Sequence, residues 1–473
     1  MILESKEKRH AYRNVSVTEI DSPQRRSLHG HWSSRLAFIL AVSGSAVGLG
    51  NIWRFPYVAG ENGGGAFVLV YLVCVLGIGL PIMMAEILIG RRGRRNPVAT
   101  MQLLGEEEAN SGSWRWIGIL GVVCGILILS YYSVIAGWAV GYIFQSASSA
   151  FSGASVAEVN GIFGALISSP LRAGGWHTLF MFISVFVVAR GVERGLEQAV
   201  RVLMPALIGL LLLLLGYSMM QGAFEQGVDF LFEARFEELT AGSILEAMGQ
   251  AFFTLSVGMG AIMAYGAYLP EEASIARTSI AVVLADTGVA LLAALVIFPI
   301  VFANGMDPAS GPGLVFQSLP VAFGQMPGGV IVATIFFVLL TFAAWTSAIS
   351  LMEPAVAWCM ETLQLSRVRA ASSVGAIIWF LGLFTVLSFG PLANFQFLRG
   401  TIFDNFDYLT NNIMLPVGGL AIVTFAGWVM CVNSSADEID PEVGTGYRLW
   451  RFSARFVAPV AVALVLLNAL GLF

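Results

Sequence analysis

Three clusters of small and polar residues interrupt stretches that are otherwise apolar. The first is Gly44, Gly48 and Gly50 with Ser43, Ser45 and Asn51 beside them; the second runs from Phe252 to Gly260; the third is the hydroxyl pair Thr346 and Ser347. Mid-span glycines have a plain reading as close-packing positions between helices. Membrane Ser and Thr commonly bond back to their own helix. Two interrupted spans and a facing hydroxyl pair together predict more than packing. A helix unwound at membrane depth frees amides and carbonyls, and such breaks can hold an ion and a polar solute. Thr346 and Ser347 are read as ion ligands on that basis.

These clusters need membrane-crossing helices to position them. The 473 residues are 57% hydrophobic and 12% charged, with a mean hydropathy of +0.79, whereas a soluble domain is about 25% charged. Crossing the hydrocarbon core takes about 20 mostly apolar residues. Eleven such stretches are predicted, roughly at 35–59, 64–90, 117–146, 177–189, 202–221, 243–267, 279–303, 327–361, 371–390, 408–432 and 454–472. The glycine-rich clusters fall in the first and sixth. Five helices and then five, each set opening on an interrupted segment, is the pattern of an inverted repeat with its site at the midplane. The expected fold is therefore an all-α membrane protein of eleven transmembrane helices, a five-plus-five inverted repeat with unwound first and sixth helices. Its expected divisions are a cytoplasmic tail (1–31), a first repeat (32–221), an extracellular connection (222–242), a second repeat (243–432), and a cytoplasmic loop with the eleventh helix (433–473).

Threading eleven spans from a cytoplasmic N-terminus leaves all but four of the 25 Lys and Arg on the cytoplasmic side. The four are Arg172, Arg235 and Arg399 outside and Arg54 within the membrane. That bias supports both the orientation and the count, and places the C-terminus on the extracellular or periplasmic face of a cell (inner) membrane. Residues 1–31 lack the apolar core of a secretory leader. The net charge of −5 is spread over outer loops, and nucleic acid is not an expected partner. Cys74, Cys124, Cys359 and Cys431 stand far apart in apolar stretches and are read as core filler. No nucleophile–base pair, metal cluster or phosphate loop is evident at membrane depth, so an enzyme is not expected.

The segments Trp32-Ser-Ser-Arg35, GSAVGLGNIWRFPYVAGENGGGAF (44–67), FFTLSVGMG (252–260) and TFAAWTS (341–347) resemble the neurotransmitter:sodium symporter family, and the likeness extends over 32–432. The resemblance implies the leucine-transporter-like fold and Na+ as the coupled ion. One sodium would be bound by the carbonyls of Gly44, Val47 and Ala343 with the hydroxyls of Thr346 and Ser347. The other would take the Ala46 carbonyl, the Asn51 amide oxygen, Thr254, Asp286 and a substrate carboxylate oxygen. That carboxylate would rest on the Leu49 and Gly50 amides and the Tyr132 hydroxyl. The substrate ammonium would meet carbonyls at Ala46, Phe253, Thr254 and Ser256. Phe253 and Tyr132 would form an aromatic lid, Arg54 and Asp407 the outer charged gate, and Trp32, Tyr268 and Glu361 the cytoplasmic gate. His29 stands where the family often has an arginine that pairs with the Glu361 position.

Monoamine-selecting members resemble this sequence except for an aspartate at the position of Gly48, and GABA-selecting members have a glycine at that of Leu49. Neither change is present, which implies an α-amino acid. The family pocket maps onto Ser45, Ile128, Phe253, Met259, Ala348 and Leu351, with Ser347 at its edge. Without a fixed charge, it implies a small neutral, hydrophobic or aromatic L-amino acid moved by alternating access. Asp286 replaces a common Asn and Ala290 a Ser or Glu, so chloride independence is expected, unless Asp286 merely bonds Tyr71 or Gln250. The rival from another class is a membrane sensor that binds an amino acid without moving it. Gates on both faces favour transport.

Overall fold

The computed structural model describes residues 32–309 and 313–472; the expected tail over 1–31, including His29, lies outside the described residues. The chain is helical, and among the described residues the only extended pairing is a single bridge between Phe397 and Gly400. In chain order, α1 (Arg35–Ala46) and α2 (Gly50–Glu61) form a pair bent by 51°. They are followed by α3 (Gly65–Gly93), α4 (Pro97–Ala109), α5 (Gly112–Ala147), α6 (Val156–Ile167), α7 (Pro170–Ala189) and α8 (Val192–Met219). Then come α9 (Phe224–Phe232), α10 (Ala241–Thr254), α11 (Ala261–Gly266), α12 (Ile275–Ala303) and α13 (Leu319–Gln325). The last are α14 (Gly329–Thr362), α15 (Arg367–Ser388), α16 (Ile402–Val429), α17 (Val432–Ile439) and α18 (Thr445–Ala469).

Among the described residues nine helices are long and apolar enough to cross a membrane, and α1 with α2 makes a tenth crossing if taken as one. The sixth expected crossing is divided into α10 and α11, of 14 and 6 residues, each too short to span alone at 1.5 Å per residue. Such a division fits the pattern of interrupted spans and lowers the number of unbroken ones.

Helix starts follow local chemistry. At α4, Asn96 accepts from the Val98 and Ala99 amides and Pro97 fills a position whose amide has no helical partner. Ser274 caps α12 in the same way. At the centre α5 packs along α14, with α7 and α15 beside them. Gly125 on α5 permits that approach, since a Cβ there would lie 3.3 Å from the Leu351 carbonyl oxygen, while Gly121 admits the connection between α10 and α11, its Cβ 2.8 Å from the Met259 carbonyl oxygen. Against this frame stand α1–α2, α3, α10–α11 and α12, while α18 is the least buried crossing. Cys74, Cys124 and Cys359 are buried as expected. Cys431 corrects the expectation, being exposed where it caps α17 by accepting from the Ser434 amide.

Candidate functional site

The two breaks use different backbone solutions. Between α1 and α2 the chain leaves the helix at Val47 (φ −67°, ψ 110°) and re-enters at Leu49 without a positive φ. The glycines there provide space. A Cβ on Gly48 would lie 2.5 Å from Ser347 Oγ and 2.9 Å from the Tyr132 hydroxyl, and one on Gly50 would lie 3.0 Å from the Phe253 ring. Between α10 and α11 the backbone itself is left-handed, at Ser256 (φ 53°), Gly258 (φ 93°) and Gly260 (φ 76°). Here glycine supplies conformational freedom.

Each freed backbone group at membrane depth requires a partner. The Leu49 amide donates to the Tyr132 hydroxyl (3.3 Å) and the Gly48 amide to Asn51 Oδ1 (2.9 Å). Ser347 Oγ donates toward the carbonyls of Ser45 and Val47 (3.1 Å each) and Gly44 (3.5 Å). Thr346 Oγ1 lies 3.0 Å from the Ala343 carbonyl and 3.5 Å from that of Val47. Hydroxyl–carbonyl contacts of 3.0–3.5 Å thus link five oxygens, from Gly44, Val47, Ala343, Thr346 and Ser347. Octahedral ligands about 2.4 Å from a hard cation would sit about 3.4 Å from one another. The cluster therefore has the chemistry and the spacing for such an ion.

A second polar centre joins Asn51, Thr254 and Asp286. Asn51 Nδ2 donates to Asp286 Oδ1 (2.7 Å), the Asp286 carbonyl (3.0 Å) and Thr254 Oγ1 (3.0 Å). Thr254 Oγ1 donates to Asp286 Oδ2 (3.0 Å). Asp286 bonds neither Tyr71 nor Gln250; Gln250 Nε2 donates instead to the Gly50 carbonyl (3.1 Å). The expected ligand atom Asn51 Oδ1 accepts from the Gly48 amide. Ala46, whose carbonyl was expected nearby, is buried at the end of α1.

The apolar lining expected from sequence is buried: Ile128, Tyr132, Met259, Ala348 and Leu351 are each no more than 6% exposed. Ser45 turns its hydroxyl to Ser350 Oγ (2.8 Å), and Ser256 Oγ donates to the Ser45 carbonyl (3.2 Å). Phe253 is part-buried, with the Arg54 guanidinium 4.8 Å above its ring. Beyond it opens a cavity of about 340 Å³ lined by Arg54, Glu246, Asn411 and Asn468. Asp407 accepts from Asn411 Nδ2 (2.6 Å), and no salt bridge joins it to Arg54 among the described residues.

At the opposite end Trp32 is 2% exposed, and its amide and indole N–H donate to the carbonyls of Tyr268 and Tyr265 (3.3 Å each). The Tyr268 hydroxyl donates to Glu353 (3.0 Å), and Arg367 clamps both carboxylate oxygens of that glutamate. Glu361 accepts from the Asn96 amide and side chain at 2.8 Å each.

Sequence reasoning missed three elements of this arrangement. Glu86, fully buried on α3, accepts from the Gly258 and Met263 amides and so caps the second break. The Glu353–Arg367 pair closes the Trp32 end. Glu197 on α8 accepts from Ser33 N (3.0 Å) and Oγ and pairs with Arg201 (2.7 Å). A carboxylate inside an apolar span is itself a signal, and it marks Glu86 and Glu353.

The sequence matches the sodium:neurotransmitter symporter family over residues 29–159 and 173–472. The chain belongs to this family. An uncharacterised sodium-dependent transporter of Bacillus subtilis, YhdH, is 38% identical over 448 residues, 93% of this chain and 98% of the relative. An uncharacterised sodium-dependent transporter of Haemophilus influenzae is 32% identical over 93% of this chain and 98% of its own. The crystal structure of MhsT in complex with L-phenylalanine superposes with a TM-score of 0.86 at 43% identity, covering 93% of this chain and 99% of that one. This symporter is accordingly a multi-pass membrane protein with sodium as its coupled ion.

Proposed function

We propose that this symporter carries neutral, hydrophobic or aromatic L-amino acids into the cell with sodium, by alternating access and without a requirement for chloride. The observation that carries the reading is the meeting of the two helix breaks at an apolar, uncharged pocket. There the Leu49 amide and Tyr132 hydroxyl offer a carboxylate site at the start of α2, while carbonyls at the end of α10 favour an ammonium. MhsT, similar over nearly its whole length, holds L-phenylalanine.

The substrate site comprises Ser45, Ala46, Leu49, Gly50, Ile128, Tyr132, Phe253, Thr254, Ser256, Met259, Ser347, Ala348 and Leu351. One sodium sits in the five-oxygen cluster and the other at Ala46, Asn51, Thr254 and Asp286. Asp286 provides the negative charge for which chloride-dependent relatives use an anion. Eleven spans form two inverted five-helix repeats (32–221 and 243–432), joined by an extracellular connection (222–242) and followed by a cytoplasmic loop and the eleventh helix (433–473). The N-terminus faces the cytoplasm and the C-terminus the periplasm or exterior. Each sodium entering through about 100 mV releases about 2.3 kcal/mol, so two ions suffice for strong accumulation.

Counterflow in proteoliposomes tests the reading: labelled L-phenylalanine should exchange with internal unlabelled substrate only when sodium is present. Saturable binding without exchange would identify a sensor and overturn transport.

A further inference from the structure

A groove of about 730 Å³ opens between α3, the first turns of α12 and the start of α18, and none of its lining residues belongs to the proposed substrate or sodium sites. Its walls are apolar, and two of them, Ile280 and Leu449, are 45% and 66% exposed. They lie on membrane-crossing helices, so the groove opens sideways into lipid. Its floor is left open by sequence: a Cβ added at Gly77 or Gly446 meets nothing within 4 Å. A void this large is many times the ~30 Å³ share of one water, which leaves room for a hydrocarbon chain.

Two opposite charges line the same groove, Arg277 on α12 and Asp440 just after α17. Both are described residues, and no salt bridge joins them. Asp440 accepts from the Glu442 amide (3.3 Å) and the Gly444 amide (3.1 Å), which fixes its carboxylate in place and leaves lone pairs free. An apolar trough with a fixed cation and a fixed anion is complementary to a zwitterion with a hydrocarbon tail.

We propose that this groove binds one glycerophospholipid whose headgroup carries a primary ammonium, as phosphatidylethanolamine does. The phosphate lies against Arg277, the ammonium donates to Asp440, and an acyl chain runs along Leu80, Met84, Ile280 and Leu449. Charge-assisted N–H bonds to Asp440 select the headgroup. A trimethylammonium has no N–H to give, and a purely anionic headgroup would meet Asp440 as a like charge. Assignment to the cytoplasmic leaflet rests on the orientation given under the proposed function; the site itself does not.

The test is native mass spectrometry of the full-length protein released from vesicles of equal parts phosphatidylethanolamine, phosphatidylcholine and phosphatidylglycerol. The wild type should retain one phosphatidylethanolamine at least tenfold over either competitor. Asp440→Asn keeps an oxygen for the Gly444 amide yet should bring ethanolamine and choline lipids to parity. Gly77→Leu, which has room to project into the groove, should lower retention of that lipid at least tenfold. Equal retention of the three lipids by the wild type, a preference unchanged in Asp440→Asn, or full retention by Gly77→Leu would each overturn the proposal. Transport is not part of the readout, so failure here and failure of the symport reading remain distinguishable.

Discussion

Removing Arg367 should destabilise the Trp32 end far more than removing the whole ion pair. Glu353 is fully buried and Arg367 is 13% exposed, and the guanidinium contacts both carboxylate oxygens, at 2.9 and 2.5 Å. In Arg367→Gln the carboxylate keeps the Tyr268 hydroxyl as partner but loses its counter-charge. Breaking a buried pair in this way costs about 3–5 kcal/mol, whereas replacing both partners by neutral groups is often close to neutral. The bond from Arg367 Nε to the Val188 carbonyl (2.9 Å) is lost in both variants and cancels in the comparison. Opening this end would let water reach Glu353, so about 3–5 kcal/mol amounts to a shift of about 150- to 5,000-fold toward open or unfolded forms. The assay is a double-mutant cycle on thermal unfolding in detergent, with sodium-driven uptake in proteoliposomes alongside. Arg367→Gln should have the lowest midpoint and negligible uptake, and Glu353→Gln with Arg367→Gln should recover most of the stability. Equal midpoints for the single and double variants would refute the reasoning, since the two side chains would then be energetically independent.

Changing Thr346 and Ser347 together to Ala removes two of the five linked oxygens, and the rise in thermal midpoint on adding sodium should shrink or vanish; an unchanged sodium response would place the ion elsewhere. Gly48→Ala puts a Cβ 2.5 Å from Ser347 Oγ, and an overpacking cost of about 1–3 kcal/mol should weaken substrate and sodium binding about 5- to 150-fold, as read by scintillation proximity. Met259→Phe should disfavour Trp and Tyr relative to Ala or Val in competition uptake, and an unchanged ranking would put Met259 outside the pocket. Uptake should be indifferent to replacing chloride by gluconate, and Asp286→Asn with Ala290→Ser should acquire a chloride requirement; a wild type that stops without chloride would sink the role given to Asp286.

Legibility differed by type of interaction. Both breaks could be placed from sequence because glycine and hydroxyl residues inside apolar runs are local signals, and the structure puts them at 47–49 and 255–260. The sequence pattern did not reveal that Gly48 and Gly50 supply space while Gly258 and Gly260 supply positive φ. That distinction depends on Ser347, Tyr132 and Phe253, which arrive from other helices. Ser33, Glu197 and Arg201 were illegible for a related reason. Each is ordinary near a membrane boundary, and only the packing of α1 against α8 brings them together. Glu353, eight residues before Glu361, was not legible as a further part of the inner end, because its role depends on Tyr268 and Arg367 arriving from other positions in the chain.

The proposed sodium site, if occupied, would also let the ion govern closure. Gly44 and Val47 belong to the broken first helix, whereas Ala343, Thr346 and Ser347 belong to α14, which packs along α5. Three of the five groups are carbonyls, and carbonyls cannot satisfy one another. With the hydroxyl protons turned inward, Thr346 and Ser347 satisfy part of that demand, at contacts up to 3.5 Å that are long for O–H···O bonds. A sodium ion at the same point would attract all five at once and draw the broken helix onto α14. Losing such an ion would leave only the hydroxyl contacts, and the interface between the two helices would weaken. Trp32 lies three residues before α1 and twelve before Gly44, so on this assignment α1 would carry the loosening toward it. Under the proposed sodium assignment, binding at mid-membrane and closure at the Trp32 end would be one mechanical event.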